Sequence, residues 1–160
     1  MQPLLIKPAR LDDMTAFLEL GRVIGKVPGV WGKNPQDDFL DHLQAMKEGK
    51  KIFLFGISKK HILIGFVVVH LFKRLDPTRF DRESCTIGVA VHPEYRRRDI
   101  GTQLIQRALK EAKERGIREV YTSTGIENIG MQRLAEKLGF IRYAIIEKNG
   151  WKFTRYKREI

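Results

Sequence analysis

The spacing of apolar residues along the chain predicts four helices. The clearest covers Ile100–Arg115, where apolar residues recur every three or four positions along one face. Gly116 follows it at the position where helices commonly end in a left-handed turn. Three other segments combine helical spacing with helix-end signals, and they are Asp12–Ile24, Gln36–Lys47 and Asn128–Leu138.

Short apolar runs bounded by turn residues predict seven strands. The runs are Leu4–Pro8, Ile52–Ile57, Ile62–Phe72, SCTIGVAVHP from Ser84, REVYTST from Arg118, Phe140–Glu147 and Lys152–Arg158. Gly88, inside the fourth run, predicts a bulge or a close backbone approach. The element order β-α-α-β-β-β-α-β-α-β-β indicates a mixed α/β sandwich. Because no repeat or linker divides the chain, we expect one domain over residues 1–160.

Composition adds a strong positive charge to this picture. The chain of 160 residues has a formal net charge of +11, with 42% hydrophobic and 31% charged residues, which is typical of a globular protein. The surplus predicts attraction to polyanions, among them nucleic acid, an acidic membrane, an acidic protein or a phosphorylated cofactor.

Cysteine, histidine and apolar runs exclude several classes of protein. Cys85 is the single cysteine, so an intrachain disulfide is impossible and a cytoplasmic location is expected. The four histidines lie far apart without metal-ligand spacing, so we expect no metal site. The most apolar run, Ile62–Phe72, is too short to cross a bilayer, and the N-terminus lacks the regions of a signal peptide. We therefore expect no membrane association.

The stretch YRRRDIG, from Tyr95 to Gly101, has the chemistry of a phosphate-binding loop. A strand that turns directly into a helix leaves the first helical N–H groups unpaired, and the helix dipole adds positive potential there. Gly101 would let a phosphate approach the backbone, because no Cβ intervenes. Guanidinium groups match phosphate geometry, and three of them surround this point, on Arg96, Arg97 and Arg98. The local chemistry indicates a pyrophosphate ligand.

Two segments resemble the acetyl-CoA-binding motifs of the GNAT N-acetyltransferase superfamily. In VAVHPEYRRRDIGTQLIQRAL, the pattern Gln/Arg-x-x-Gly-x-Gly/Ala falls on Arg96, Asp99 and Gly101. The second motif, in ENIGMQRLAEKLGF, is matched at Asn128, Leu134, Glu136, Lys137, Gly139 and Phe140. The resemblance implies a GNAT-like fold, which is a mixed, mostly antiparallel central sheet of about seven strands flanked by about four helices.

The resemblance also implies an acetyl-CoA-dependent N-acetyltransferase, in which an amine attacks the thioester directly without a covalent enzyme intermediate. The backbone of Val89, Ala90 and Val91 would pair with pantetheine like an added strand. The pyrophosphate would be held by the segment Arg96, Arg97, Arg98, Asp99, Ile100, Gly101 and Thr102. Asn128 would hydrogen-bond to the pantetheine arm, and a backbone N–H near Gly88–Val91 would polarise the thioester carbonyl.

Asp99 departs from the family pattern, because it occupies the position of the first glycine. One interpretation makes its carboxylate the N-cap of the following helix, accepting from Gly101 or Thr102. The interpretation that we favour turns the carboxylate toward Arg97 or Arg98 when cofactor is bound, because those N–H groups are the donors that a pyrophosphate needs.

The sequence does not identify the general acid or the general base of the reaction. The family often carries a thiolate-protonating tyrosine where this chain has Ala135, and none of Tyr95, Tyr121, Tyr143 and Tyr156 stands out as its substitute. Glu83 lies near where some members carry a base, although a solvated charge at a strand end explains it equally. Members that act on protein N-termini tend to have a glutamate at the position of Ser123. Cys85 reads as a small strand residue rather than a nucleophile.

The acceptor is an unidentified primary amine, which the resemblance limits to a small molecule, a lysine side chain or a protein N-terminus. Trp31 and Phe39 lie in the region that lines the acceptor pocket in the family, although an ordinary loop anchor is an equal interpretation of Trp31. Two alternatives remain: a CoA-binding protein with weak or lost catalysis, and a basic nucleic-acid-binding module. The cleft would concentrate positive charge in the first case but not in the second. A homodimer is compatible with the resemblance, since many members dimerise.

Overall fold

The computed structural model of the chain describes residues 4–27, 30–72 and 83–160. In these ranges seven strands form one sheet in the order β1-β2-β3-β4-β5-β7-β6. The strands are β1 (Leu5–Pro8), β2 (Lys51–Ile57), β3 (Leu63–Phe72), β4 (Glu83–Val91), β5 (Ile117–Gly125), β6 (Ile141–Lys148) and β7 (Trp151–Glu159). Neighbours pair antiparallel except β4 and β5, which are parallel. The predicted mixed, mostly antiparallel sheet is confirmed.

Four α-helices flank the sheet in the described part of the chain, as the sequence predicted. They are α1 (Met14–Ile24), α2 (Pro35–Lys47), α3 (Ile100–Glu114) and α4 (Ile129–Lys137). Short 3-10 turns precede α1 and α3, at Leu11–Asp13 and Pro93–Tyr95. None of these helices is long and apolar enough to cross a membrane, counting only the residues described.

Each face of the sheet buries its own apolar cluster. Helix α3 covers one face, where the side chains of Leu104 and Ala108 are fully buried and pack against the side chains that β2 to β5 direct toward the helix. Helices α1 and α2 cover the other face around Phe17, which is also fully buried. The Phe17 ring lies 5.0–5.8 Å from the rings of Trp31, Phe39, Phe53, Phe55 and Phe66. This aromatic packing fixes α1, α2 and their connecting loop against the middle of the sheet.

Strands β4 and β5 separate part of the way along their length. Their backbone register runs only from Glu83↔Ile117 to Thr86↔Tyr121. One residue further along, a side chain replaces the backbone pairing: Oγ1 of the buried Thr122 donates a hydrogen bond to the carbonyl of Ile87 at 2.8 Å. Beyond this hydrogen bond the two strands diverge, and the β5-facing edge of β4 is left open.

The bulge that we expected at Gly88 is absent. Pairing of β3 with β4 continues without a shift from Gly65↔Val91 to Phe72↔Ser84, and Gly88 lies directly opposite Val68. The irregularity lies on the other side of β4, between Glu83 and Ser84, where β4 meets β5. No other part of the described protein approaches this glycine closely, because a Cβ built on it has no neighbour within 4 Å. The glycine instead faces open space.

We expect the Thr122–Ile87 hydrogen bond to stabilise the point of separation. Thr122→Val removes the hydroxyl while keeping the shape, and it leaves a buried carbonyl unpaired, so the free energy of unfolding should fall by about 1–2 kcal/mol. Urea unfolding would measure this change.

Thr154 offers a matched control for this substitution. It is equally buried, and its hydroxyl has no hydrogen-bond partner in the described residues. Thr154→Val should therefore leave stability unchanged or raise it. Equal losses in both variants would show that the bond to Ile87 contributes nothing specific.

Candidate active-site cleft

A cleft of about 580 Å³ opens where β4 and β5 separate. One end, called here the α4 end, is lined by Val89, Asn128 and Met131. The other end, called the α2 end, is lined by the α1–α2 loop, by α2, by Lys51 at the start of β2 and by Phe66, Val68 and His70 of β3. Gly88 and Ser123 line the passage between the two ends. A ligand in this cleft would contact both faces of the sheet.

Alternation along β4 shows which backbone groups face the cleft. The N–H of His92 donates to Ile64 on β3 at 2.7 Å, so even-numbered residues of β4 direct their polar groups to β3. The carbonyl of Ile87 points to β5, and by the same alternation those of Val89 and Val91 do too. Nε of Arg96 donates a hydrogen bond to the carbonyl of Val91 at 3.2 Å. The carbonyls of Ile87 and Val91 are therefore occupied, whereas the N–H and carbonyl of Val89 face the open gap.

The loop between β4 and α3, where the sequence predicts phosphate binding, has an unusual backbone. Arg97 and Asp99 both adopt left-handed conformations, with φ of 62° and 60°. The first helical bond of α3 runs from the N–H of Gln103 to the carbonyl of Asp99 at 3.0 Å. The N–H groups of Ile100, Gly101 and Thr102 consequently have no acceptor within the helix, which is the arrangement that binds anions.

Packing around this loop explains two of its residues. Ile100 is buried in the apolar cluster beneath α3, so it offers a ligand only its N–H. A Cβ at Gly101 would lie 3.1 Å from Cδ2 of Leu134 on α4. The glycine therefore permits the close approach of α3 and α4, in addition to leaving the backbone open.

The arginines of the loop are arranged differently from one another. Arg96 is tied to the strand end, and the guanidinium of Arg98 lies over the Tyr95 ring at 5.2 Å from its centroid. All three arginines remain exposed to solvent. An anion at the start of α3 would therefore meet cationic side chains beside the free N–H groups.

The structure corrects the interpretation of Asp99 as a side-chain cap. Within the described residues its carboxylate accepts no hydrogen bond from the start of α3. It is turned away from the N–H groups, and Oδ1 lies 3.8 Å from Nζ of Lys137 on α4. The contact with Arg97 or Arg98 that we expect when cofactor is bound stays a prediction. The left-handed φ at this position explains why glycine suits it, since Asp and Asn are the next best residues there.

Asn128 lies at the α4 end of the cleft and caps α4. Its Oδ1 accepts from the N–H of Met131 at 3.1 Å, which leaves the amide nitrogen free to donate to a ligand. The expected contact with pantetheine is compatible with this orientation.

Trp31 lines the α2 end of the cleft and is held by three contacts. Its Nε1 donates to the carbonyl of Gly25 at 2.8 Å, and its ring packs against Phe17 and stacks on Phe66. The loop around it is fixed by Asp38, whose buried carboxylate accepts from the N–H groups of Gly32 and Lys33. Both readings of Trp31 therefore apply, as a loop anchor and as a cleft residue.

Phe39 does not reach the cleft. Its side chain has no exposure and packs against Phe17 in the aromatic cluster. From that position it supports the α2 end without touching an acceptor.

His42, Lys51 and His70 meet at the α2 end, a grouping that sequence reasoning missed. Nδ1 of His42 lies 2.9 Å from Nζ of Lys51, and the two imidazole rings are 6.0 Å apart. Burial and the nearby Lys51 charge lower the pKa of His42 to about 4 and also lower the pKa of His70. A sequence signal existed, since His70 is the one polar side chain in the apolar run Ile62–Phe72.

The other candidate residues are placed as follows. Cys85 is buried, and burial raises the pKa of its thiol to about 12, which makes it a poor nucleophile. Ala135 is buried in the α3-side cluster. The lining of the cleft includes no tyrosine from the described ranges. Glu83 begins β4, five positions before Gly88 and so roughly 16 Å away along the strand. Its side chain lies outside the part of the chain that the structure describes.

Metal-binding chemistry has no support in this site. Across residues 4–27, 30–72 and 83–160, no three histidine, cysteine or acidic side chains gather in a way that would hold a metal ion.

Comparison with known sequences assigns the family. Residues 16–140 match the acetyltransferase (GNAT) family. The chain is 30% identical to an N-alpha-acetyltransferase of Sulfurisphaera tokodaii over 84% of its own length and 78% of that protein. It is also 40% identical to an uncharacterised N-acetyltransferase of Methanocaldococcus jannaschii, over 39% of its own length and only 27% of that protein. The chain therefore belongs to the GNAT family, as its motifs predicted.

Solved structures show the same fold. An N-acetyltransferase from Staphylococcus aureus superposes with a TM-score of 0.81 at 20% identity, covering 98% of both chains. An acetyltransferase from Salmonella typhimurium, solved with acetyl-CoA, superposes with a TM-score of 0.78 at 19% identity, covering 98% of this chain and 93% of that one. The predicted class, an acyltransferase that uses acetyl-CoA, is confirmed.

We expect Asp99→Gly to bind acetyl-CoA at least as tightly as the unaltered protein. Glycine adopts the left-handed conformation without strain, and the change removes a carboxylate beside the free N–H groups. Isothermal titration calorimetry would measure the affinity. A loss of tenfold or more would show that the carboxylate helps to build the site, and Asp99→Ala would then separate the loss of charge from the change in backbone freedom.

Proposed function

We propose that this protein transfers the acetyl group of acetyl-CoA to a primary amine, by direct attack within a ternary complex. The observation that carries the proposal is the open gap between β4 and β5, which exposes the Val89 N–H and carbonyl midway along a continuous cleft. The predicted phosphate-binding loop would lie on one side of this gap, and the other side leads to the α2 end, where a second substrate would bind.

The cofactor would lie at the α4 end of the cleft. Pantetheine would pair with the free edge of β4 at Val89, as an added strand does, while Ala90 keeps its backbone bonds to β3. The pyrophosphate would accept from the N–H groups of Ile100, Gly101 and Thr102, with the three arginines beside it. Asn128 would donate its amide nitrogen to the pantetheine arm.

The chemistry needs a donor for the thioester oxygen and a way to release the thiolate. The Val89 N–H would polarise the thioester carbonyl and stabilise the oxyanion that forms on attack. A thiol with a pKa of about 8.5 is a reasonable leaving group near neutral pH, so water would suffice to protonate it. This accounts for a site in which Ala135 replaces the tyrosine that relatives use.

We favour the α-amine of a polypeptide as the acceptor. The Sulfurisphaera relative carries the name N-alpha-acetyltransferase, and the match to it extends over most of both chains. An α-amine with a pKa of about 7.7–8.0 is roughly one-tenth neutral at pH 7, whereas a lysine amine with a pKa of about 10.4 is neutral in roughly one molecule in 2,500. Ser123, which stands where protein N-terminus acetyltransferases tend to have glutamate, means that the base must come from another residue.

The placement of charge favours this proposal over nucleic-acid binding. Lys33, Lys51 and Lys148 line the cleft, and the arginine loop stands at the start of α3 beside it. On α3, Arg107 and Arg115 share one acidic partner, Glu111. Lys33 and Lys51 lie at the α2 end, so the three loop arginines are the cations that would meet the phosphates of the cofactor.

The proposal predicts cofactor binding and thiol release. Calorimetry should detect micromolar binding of acetyl-CoA, and pantetheine, which lacks the pyrophosphate, should bind about 100-fold more weakly. Two peptides of one sequence form the matched acceptors, one with a free N-terminus and acetylated lysine, the other with an acetylated N-terminus and free lysine. We expect faster thiol release with the first.

Three other outcomes would reject the proposal in whole or in part. Failure to bind acetyl-CoA at micromolar concentration contradicts the proposal. Binding without turnover on peptides or small amines would favour a CoA-binding protein that has lost catalysis. Faster reaction with the lysine peptide would retain the transferase and reject the α-amine.

A further inference from the structure

We propose that His70 is the group that removes the proton from the acceptor's ammonium, acting directly or through one water molecule. This inference rests on the proposed function, and it adds the base that the family motifs leave open. Four observations support it: the position of His70 in the sheet, the hydrogen bonding of His42, the state of the cleft carboxylates, and the electrostatics of the pocket.

The register of the sheet brings His70 close to the reacting region. His70 pairs with Thr86 on β4, and Val68 pairs with Gly88, so all four side-chain positions lie on the same face of the sheet. Diagonal neighbours on adjacent strands are about 7–8 Å apart at their Cα atoms, which describes His70 and Gly88. His70, Gly88 and Val89 also line the same cleft, so His70 lies near the place where an amine would meet a thioester held at Val89.

His42 is not available for the same task. An ammonium group only donates hydrogen bonds, so Nζ of Lys51 donates to Nδ1 of His42 at 2.9 Å and occupies that lone pair. The neutral ring then carries its own hydrogen on Nε2. The low pKa of His42, about 4, agrees with this arrangement, because burial and the adjacent Lys51 both oppose a second positive charge.

Both carboxylates that line the cleft are already bonded. Asp38 accepts from two backbone N–H groups of the α1–α2 loop. Asp41 pairs with Lys33 at 3.2 Å, and more than half of its side chain is exposed at 56%. The His70 ring forms no hydrogen bond within the described part of the chain, and it lines the cleft. It is thus the titratable side chain of this pocket that is left with a free nitrogen.

The charged groups around His70 keep it neutral. Lys51 from β2 and the half-buried setting lower its pKa, with burial the larger cause. From α2 it faces His42, which stays neutral, while Asp41, which also lines the cleft, pairs with Lys33. Lys148, at the end of β6, adds a further positive charge to the same cleft. At neutral pH the imidazole therefore has a lone pair with which to accept a proton.

The proton balance of the step is complete. His70 takes one proton from R–NH₃⁺ and becomes an imidazolium, and the neutral amine attacks the thioester carbon. The C–N bond forms and the C–S bond breaks. The second amine proton goes to the thiolate or to water, and His70 returns its proton to solvent through the cleft. A base with a pKa below 6.5 suits an α-ammonium far better than a lysine ammonium, because the transfer is less uphill by two to three pKa units.

His70→Gln is the first test. We expect kcat with the free-N-terminus peptide to fall about 100-fold at pH 7, with the affinity for acetyl-CoA unchanged by calorimetry. The deficit should shrink to less than about tenfold at pH 9, where solution chemistry already supplies the neutral amine. The acidic limb of the wild-type profile, where kcat/KM falls as pH falls through the His70 pKa, should move to higher pH and follow the pKa of the substrate amine, about 7.7–8.0.

His61→Asn is the matched control for this variant. His61 lies in the exposed turn between β2 and β3, outside the cleft, with a left-handed φ of 60° that asparagine tolerates. We expect its activity and pH profile to equal those of the unaltered protein.

Lys51→Met tests the electrostatic part of the inference. Removing this positive charge should raise the pKa of His70, so the acidic limb of kcat/KM should move to higher pH. Lys60→Met, in the exposed β2–β3 turn, removes a positive charge outside the cleft and should leave the limb in place. If Lys51 served only to stabilise the fold, the acidic limb of kcat/KM would stay at the same pH in Lys51→Met.

The possible failures are distinguishable from one another. Absence of thiol release by the unaltered protein overturns the proposed function itself. An active unaltered protein together with a fully active His70→Gln that keeps the acidic limb overturns the role of His70 alone. The same move of the acidic limb in Glu83→Gln, and not in His70→Gln, would assign the base to Glu83. A parallel loss of acetyl-CoA binding in His70→Gln would make the residue structural and would also overturn the inference.

Discussion

The separation of β4 from β5 after Thr86 is the constraint on which the site depends. Up to that point the two parallel strands share backbone hydrogen bonds, and beyond it a single threonine hydroxyl on β5 holds the carbonyl of Ile87. Because a strand directs its polar groups to alternate sides, the separation frees the N–H and carbonyl of Val89. It also joins the two faces of the sheet into one cleft. A continuous β4–β5 ladder would have neither feature.

The two ends of the cleft are built by different means. The α4 end uses local features: a strand that turns into a helix, two left-handed residues at Arg97 and Asp99, and a glycine that allows α3 to approach α4. The α2 end uses long-range contacts, since His42, Lys51 and His70 come from a helix and two different strands. The first arrangement suits a constant cofactor, whose phosphates need backbone donors. The second is set by side chains, which can vary with the acceptor.

The backbone conformation at Asp99 changes the interpretation of this residue. In the sequence it is a carboxylate placed where phosphate would bind, and a helix cap is the obvious reading. In the structure it adopts the left-handed conformation that glycine would otherwise supply, and its charge is directed to Lys137. The residue keeps the geometry of the loop, and a cation on α4 receives the carboxylate.

Local patterns in the sequence determined the elements, the order of the elements and the cofactor motif. Apolar periodicity and the terminating glycines depend on neighbours a few positions apart, which is why the four helices and seven strands could be predicted within one or two residues. Two of the alternatives that the sequence left open, a bulge at Gly88 and a side-chain cap at Asp99, were wrong, because pairing partners and backbone dihedrals are set by the packed sheet. The meeting of His42 with His70, and the burial of Phe39, were decided by tertiary structure alone. Their contacts join residues far apart in the chain, and no local pattern records such distances.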